Sequence, residues 1–259
     1  MTGQLNRKQF WCLTAAGTVT FFAIWYLARV LHFSPPQFLP MPHEVLFKLI
    51  DLLHNPFAGA TLLEHMLASL KRFGMGFGLA VLVGVPLGLA MGWFRLLDDV
   101  VTPLFDSVRF IAPVAWVPFA ALWFGTGAGG ATLIIFAGAF PPCLINAYRG
   151  ARNVDVRFLE AASMLGVGSF KTITEVLFPA AVPSIIAGLR IGAGLGWLSL
   201  VGAELIVASS GMGNLIVRAQ SALATDTVMA GMVFIGMVGV VIDVLIRRLE
   251  RRLLKHRNV

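Results

Sequence analysis

Charge is scarce in this 259-residue chain. Its 20 Lys+Arg and 13 Asp+Glu make up only 13% of the sequence, where a soluble globular protein carries about a quarter. Cysteine is scarcer still. Cys12 and Cys143 both sit in apolar runs, so they read as small buried hydrophobes and exclude a disulfide framework. The five histidines, His32, His43, His54, His65 and His256, show no metal-ligand spacing with Glu or Cys. There is no nucleophile elbow, and no carboxylate pair is singled out by spacing. Enzyme readings therefore have little support, and neither a metal nor a cofactor is expected on the chain.

Two glycine-rich stretches look like nucleotide motifs and fail on inspection. Gly125-Thr-Gly127-Ala-Gly-Gly130 matches G-x-G-x-x-G. It lies in a short outer loop between apolar segments, without the strand that a dinucleotide site requires. Gly166-Val-Gly-Ser-Phe-Lys171-Thr172 places Phe170 where a phosphate-binding loop needs glycine before its lysine. The chain is not expected to hydrolyse ATP.

What the chain has in quantity is apolar length: 58% of it is hydrophobic, with a mean hydropathy of +0.82. A membrane-spanning helix needs about 20 mostly apolar residues. Six segments qualify, near Phe10–Leu31, Phe73–Phe94, Val101–Phe124, Ala131–Tyr148, Val182–Val207 and Val228–Ile246. Lipid leaves no partner for free backbone groups, so each is expected to be a helix. The short alternating segments of an outer-membrane barrel are missing. The fold class expected is an all-α polytopic membrane protein with six transmembrane helices.

The basic residues set an orientation. With the N-terminus inside, Arg7, Lys8, Arg95, Arg149, Arg152, Arg157, Lys171, Arg247, Arg248, Arg251, Arg252, Lys255 and Arg257 fall on the inner side. Only Lys48, Lys71, Arg72 and Arg218 fall outside, with Arg29 at the outer end of the first helix. The positive-inside rule then predicts both termini in the cytoplasm. The net charge of +7 comes from that topology, which removes the main argument for nucleic-acid binding. The run from Phe10 is too long for a signal peptide and lacks a cleavage site, so it is expected to stay as an anchor.

This divides the chain into four parts. Residues 1–34 form a cytoplasmic tail and the first helix. Residues 35–72 form an external segment, with an extended approach through Pro35, Pro36, Pro40 and Pro42 and amphipathic pieces near Glu44–Leu53 and Leu62–Leu70. Residues 73–249 form the transmembrane core with an inner loop at 149–181, and residues 250–259 form a tail. Glycines at spacing four, Gly84, Gly88 and Gly92, then Gly188, Gly192 and Gly196, predict close helix packing. Pro86, Pro113, Pro118, Pro141 and Pro142 predict kinks.

Ionisable groups inside the apolar segments are costly there and mark candidate functional sites. They are Arg109, Arg190, Glu204 and Asp243, with Trp116 among prolines where a helix is expected to break. Each has a plainer reading: Glu204 can pair with an arginine or sit near an interface, and Asp243 can pair with Arg247 one turn on.

The inner loop carries "EAASMLGVGSF" (160–170). Asp155 and Glu160 lie early and Lys171 late, which suits the helix dipole. Phe158, Ala162 and Leu165 keep a one-face spacing, Gly166 and Gly168 mark a bend, and Pro179 and Pro183 are expected to end the stretch beyond that bend. A short helix with small central residues suits a partner's groove. A helix lying on lipid would carry larger apolar residues than Ala161, Ala162 and Ser163.

Glu160-Ala161-Ala162, Gly166 and Val176-Leu177-Phe178-Pro179 keep the spacing of the EAA loop of binding-protein-dependent ABC importer permeases, with Val for Ile and Phe for Leu. The stretches "RFIAPVAWVPFAALWFGTG" (109–127), "GAFPPCLINAYRGARNVD" (138–155), "PSIIAGLRIGAGLGWLSLVGAELIVASSGMGNLI" (183–216) and "TDTVMAGMVFIGMVGVVIDVLIRRLERRL" (225–253) resemble the taurine, alkanesulfonate and nitrate branch of that family. The resemblance spans about residues 35–255. One departure is that Ala128, Gly129 and Gly130 stand where relatives usually carry an acid.

The resemblance implies the type I ABC importer permease fold in a bacterial inner membrane. It implies two copies of a cytoplasmic ATPase that hold the ATP and Mg, a second copy of this permease, an external solute-binding protein and surrounding membrane lipid. It assigns ATPase coupling to Glu160, Ala161, Ala162, Leu165, Gly166 and Pro179. The expected cargo is a small anion, an organosulfonate such as taurine or an alkanesulfonate, carried past Arg109, Trp116, Arg190 and Glu204. The alternatives are nitrate, bicarbonate or another small organic solute. A scaffold or sensor, or a proton-coupled carrier, is the competing class.

Overall fold

The computed structural model describes residues 7–31, 33, 35, 38–125, 127–206 and 208–254. His32, Ser34, Pro36, Thr126, Val207, Lys255, His256 and Arg257 lie outside the described residues, as do the side chains of Arg7, Lys8 and Phe10. Among the described residues the chain is helical and has no strand. It divides into two compact units, Met1–Leu63 with Leu215–Phe234, and Glu64–Asn214 with Ile235–Val259.

The first unit holds α1 (Arg7–Val30) and α2 (Pro42–His54). The apolar stretch of α1, Trp11–Val30, has none of its residues buried within the chain. A helix that is apolar all round needs a lipid-like cover. α2 is amphipathic and buries Val45 and Leu52. Its start is fixed by Pro42 and by the Glu44 carboxylate, which accepts the Met41 N–H at 2.7 Å. The Trp25 Nε1–H donates to the Pro40 carbonyl at 3.1 Å and ties the loop back to α1.

The second unit is built around α6 (Ala128–Arg152). It is flanked by α3 (Leu62–Trp93), which begins just before the unit boundary, and by α9 (Phe178–Ile206). Both glycine stripes face α6. A side chain at Gly88 would strike the Leu144 carbonyl and Ala147; one at Gly192 would strike Cys143 and the Ala139 carbonyl. Backbones approach this closely only where side chains are missing. Val85, Leu89, Cys143, Ala147, Leu177, Ala181 and Ile185 close the core between them.

Two expected boundaries move. The second span begins at Leu62, because the piece expected as a separate external helix runs on unbroken into it; no proline or turn residue interrupts 62–72. Its 32 residues measure about 48 Å, longer than the roughly 30 Å hydrocarbon core. The third span is not one straight helix. α4 (Arg95–Val108) and the stretch Pro113–Phe124 meet at 87°. Ala112 is extended (φ −56°, ψ 136°), as the residue before a proline prefers. A 3₁₀ turn at Pro113–Trp116 then leads into α5 (Val117–Phe124). Among the described residues, five helices are long and apolar enough to cross a membrane, six if this bent pair counts as one span.

Candidate functional site

Four places hold the residues singled out by sequence, all in the second unit. The first is the segment after α6. The Asp155 carboxylate accepts the Arg157 N–H at 3.0 Å and caps α7 (Val156–Met164). The helix closes with a Schellman motif. The Val167 N–H bonds to the Ala162 carbonyl and the Gly166 N–H to the Ser163 carbonyl, both at 3.0 Å. Gly166 has φ +66°, a left-handed conformation that glycine adopts without penalty.

Pro179 and Pro183 do not end the stretch beyond Gly168, contrary to expectation; both lie inside α9. After α8 (Ser169–Thr172) the chain makes a π turn, Ile173–Leu177, in which the Phe178 N–H bonds to the Ile173 carbonyl five residues back. The wider turn relieves the clash of the Pro179 ring with the carbonyl four residues earlier.

The spacing of Phe158, Ala162 and Leu165 does not make one face either. Ala162 is buried and Leu159 packs on the core, whereas Phe158 and Leu165 are exposed at 62% and 81%. The inward side centres between Leu159 and Ala162, so Phe158 falls at its edge, and Leu165 lies past the last turn. Glu160 and Ala161 are exposed, as are Met164 and Phe170. The result is a short capped helix that displays large apolar side chains around Glu160.

The second place is the break between α4 and α5. Arg109 caps the end of α4, and its Nε–H meets Asp106 Oδ1 at 2.9 Å. Its guanidinium lies 4.6 Å from the centre of the Phe110 ring, within cation–π range. Arg109 and Trp116 both line a cavity of about 330 Å³ whose walls include Leu104, Phe105, Phe136 and Phe140. The structure therefore brings these two candidates together. A second cavity of about 330 Å³ also reaches Arg109 and carries Ser199.

Glu204 lies elsewhere, fully buried; it pairs with an arginine, one of its plainer readings, but in a network whose other members sequence reading did not identify. Its Oε1 accepts from Arg72 Nη1 at 2.7 Å, and its Oε2 accepts the Gly213 N–H at 3.0 Å. The Ser69 hydroxyl donates between both oxygens at 2.8 and 2.7 Å and accepts the Met212 N–H at 2.9 Å. Arg72 also holds Ser210 through its carbonyl and its hydroxyl. The His65 Nδ1 accepts the Gly211 N–H at 3.3 Å. Gly211 has φ +108°, and a side chain there would meet the Glu204 carboxylate. His65, Ser69 and Arg72 stand at i, i+4 and i+7, a polar stripe on one face of α3. That spacing is the available signal, but Arg72 beside Lys71 reads from sequence as an external loop charge.

Arg190 occupies the fourth place. Its Nε–H donates to Asp243 Oδ1 at 3.0 Å, and Arg247 Nε–H donates to Asp243 Oδ2 at 2.7 Å. The expected i,i+4 pair thus exists, and Asp243 also reaches across to α9. Among the described residues no group of three or more His, Cys, Asp or Glu side chains is placed to hold a metal.

Residues 84–255 match the family of binding-protein-dependent transport system inner membrane components. The chain is 37% identical over 231 residues to the taurine transport system permease protein of Escherichia coli (strain K12), which covers 89% of this chain and 84% of that one. It is 35% identical over 217 residues to the nitrate import permease protein of Synechocystis sp., covering 82% and 79%. Among solved structures, a chain of the methionine ABC transporter in inward-facing conformations superposes with a TM-score of 0.61. It covers 74% of this chain and 95% of that one at 19% identity, a likeness of fold.

Proposed function

The chain belongs to the family of binding-protein-dependent transport system inner membrane components, and we propose that it forms the pathway of an ATP-driven importer for a small organic anion, an organosulfonate such as taurine or an alkanesulfonate. Relatives with such cargo and the geometry at Arg109 point the same way. One guanidinium, that of Arg109, belongs to the lining of an otherwise apolar cavity with Trp116 and Phe105. An organosulfonate offers an anionic oxygen face to the arginine and a short apolar stem to the walls. Nitrate and bicarbonate have no such stem, which makes them the second reading.

The four pathway candidates divide on this view. Arg109 and Trp116 face the solute, Glu204 fixes the frame, and Arg190 belongs to the contact of α9 with α11 (Thr225–Leu254). Energy enters at α7. The observation that carries the coupling role is the Schellman-capped helix displaying Phe158, Met164 and Leu165 around Glu160. Two copies of a cytoplasmic ATPase, holding ATP and Mg, grip this surface on two copies of the permease. A stiff element gripped by both parts transmits a rigid-body motion, and rocking of helical bundles switches access. A solute-binding protein delivers the anion from the other side, with both termini of the permease in the cytoplasm.

The test is uptake by proteoliposomes carrying the permease, its ATPase and its binding protein. Leu165→Asp and Glu160→Ala are expected to cut uptake at least about tenfold while ATP hydrolysis continues or the ATPase dissociates, a coupling loss of about 1.4 kcal/mol. Normal assembly and uptake in both variants would remove the coupling role. A cognate binding protein selective for a neutral or cationic solute would remove the anion.

A further inference from the structure

α9 and α11 (Thr225–Leu254) run antiparallel in the second unit, tied at one end by Arg190 to Asp243 and at the other by the Trp197 Nε1–H, which donates to the Ile235 carbonyl at 3.3 Å. Along these two helices, reaching past the Arg190–Asp243 tie, runs a groove of about 660 Å³. Its walls are apolar: Ala187, Ile191, Leu195 and Leu198 from α9, Ile242 and Ile246 from α11, with Trp197 as the floor. It runs from residue 187 to 198 on one helix and from 239 to 250 on the other. At 1.5 Å per residue that is about 17 Å, close to one leaflet of a roughly 30 Å hydrocarbon core.

The polar end of the groove is lined by Arg190, Asp243 and Glu250, and around Glu250 in sequence stand Arg247, Arg248, Arg251 and Arg252, a basic cluster of the kind found where a helix leaves the membrane. Two features there select a head group. Arg190 and Arg247 share the single carboxylate of Asp243, each through its Nε–H. That leaves one net positive charge and the Nη donors for an incoming anion. Glu250 lines the same end, half-buried, with no hydrogen-bond or ion-pair partner among the described residues. A head group with phosphate alone would leave this carboxylate unpaired and would be repelled by it. A trimethylated ammonium would neutralise the charge without an N–H to donate.

We propose that this groove binds one phospholipid of the ethanolamine type, with an acyl chain between α9 and α11, its phosphate on Arg190 and Arg247, and its primary ammonium on Glu250.

Native mass spectrometry of the full chain, released from nanodiscs with equal parts of dioleoyl phosphatidylethanolamine, phosphatidylcholine and phosphatidylglycerol, tests this. The wild-type protein should retain the ethanolamine lipid about tenfold over the choline lipid, as one hydrogen bond between charged groups provides. Glu250→Gln should abolish that preference and keep phospholipid bound. Leu195→Trp, which fills the groove more than a helical turn away from Arg190, should lose bound lipid of every head group. Equal retention of ethanolamine and choline lipids, a preference for the glycerol lipid, or a preference unchanged in Glu250→Gln would overturn the assignment. So would disulfide cross-linking of two copies through Leu198→Cys in a chain with Cys12 and Cys143 replaced, since a second copy would then fill the groove.

Discussion

α9 carries two arginine–carboxylate ties to other helices, and they are opposites. Glu204 and Arg72 have side chains 0% and 8% exposed; both Glu204 oxygens and both terminal nitrogens of Arg72 are hydrogen-bonded within the chain. Arg190 and Asp243 are 36% and 39% exposed, and Arg247 is 49% exposed. The first tie is closed in on itself, so it works as a rivet between α3, α9, the loop at 208–211 and the first turn of α10 (Met212–Ser221). The second keeps donors open to a groove. Equal chemistry at two depths thus gives a fastening in one place and a binding surface in the other.

The largest effect is expected at the rivet. Glu204→Ala leaves Arg72 buried without its counter-charge, which costs about 3–5 kcal/mol. Thermal unfolding of the purified protein and its yield in membranes read this out. Replacing both partners in Arg72→Met/Glu204→Met removes the stranded charge and should recover part of the loss. The Ser69 hydroxyl and the Gly213 N–H then stay unpaired, at about 1–3 kcal/mol each. If the single variant melts like the wild type, depth does not separate the two ties.

The second contrast lies within one helix. Gly192 faces α6 with Cys143 and the Ala139 carbonyl against it; Gly194, two residues on, opens to the groove with nothing within 4 Å. Gly192→Leu should therefore cost about 1–3 kcal/mol through overpacking. Gly194→Ala should be neutral or gain up to about 1 kcal/mol from helix propensity. Melting curves for both variants, taken side by side, separate the two cases; equal losses would mean that α9 is packed on both sides.

The helical membrane fold was legible because apolar length and spacing are local properties of the chain. So was the cap at Gly166, which depends on a glycine within a few residues of its partners. The rivet was not legible, because Arg72 and Glu204 are 132 positions apart and only packing brings them together. Lys71 beside Arg72 makes the pair look like a solvated charge run. A break near Trp116 is written in its prolines, yet the 87° angle there depends on how α5 packs on α6. The role expected of Pro179 failed for a local reason: the π turn before it lets the helix absorb the proline, and nothing in the residue pattern announces it.

The open tie should respond weakly. Asp243→Asn keeps the shape and removes the charge, and because all three side chains are more than a third exposed the stability cost should stay within about 1 kcal/mol. The same variant should change lipid retention more than melting temperature. A loss of stability as large as that of Glu204→Ala would place this tie in the same class as the rivet and close the groove as a binding surface.

A third pair, on the surface of α2 in the other unit, marks the weak limit. Lys48 Nζ–H donates to Asp51 at 2.9 Å, and Asn55 donates to the same carboxyl group. Lys48 first, then Asn55, hold the Asp51 carboxyl below its ordinary value of 3.8. A depressed folded-state value means that the charged form favours folding. The contribution is present above the ordinary carboxylate range and is lost as the pH falls through the lowered value. The wild type should therefore melt slightly above Asp51→Asn at neutral pH, and the two should converge as the pH falls into that acidic window. A neutral-pH difference as large as that of Glu204→Ala would show that exposure does not set the strength of these pairs.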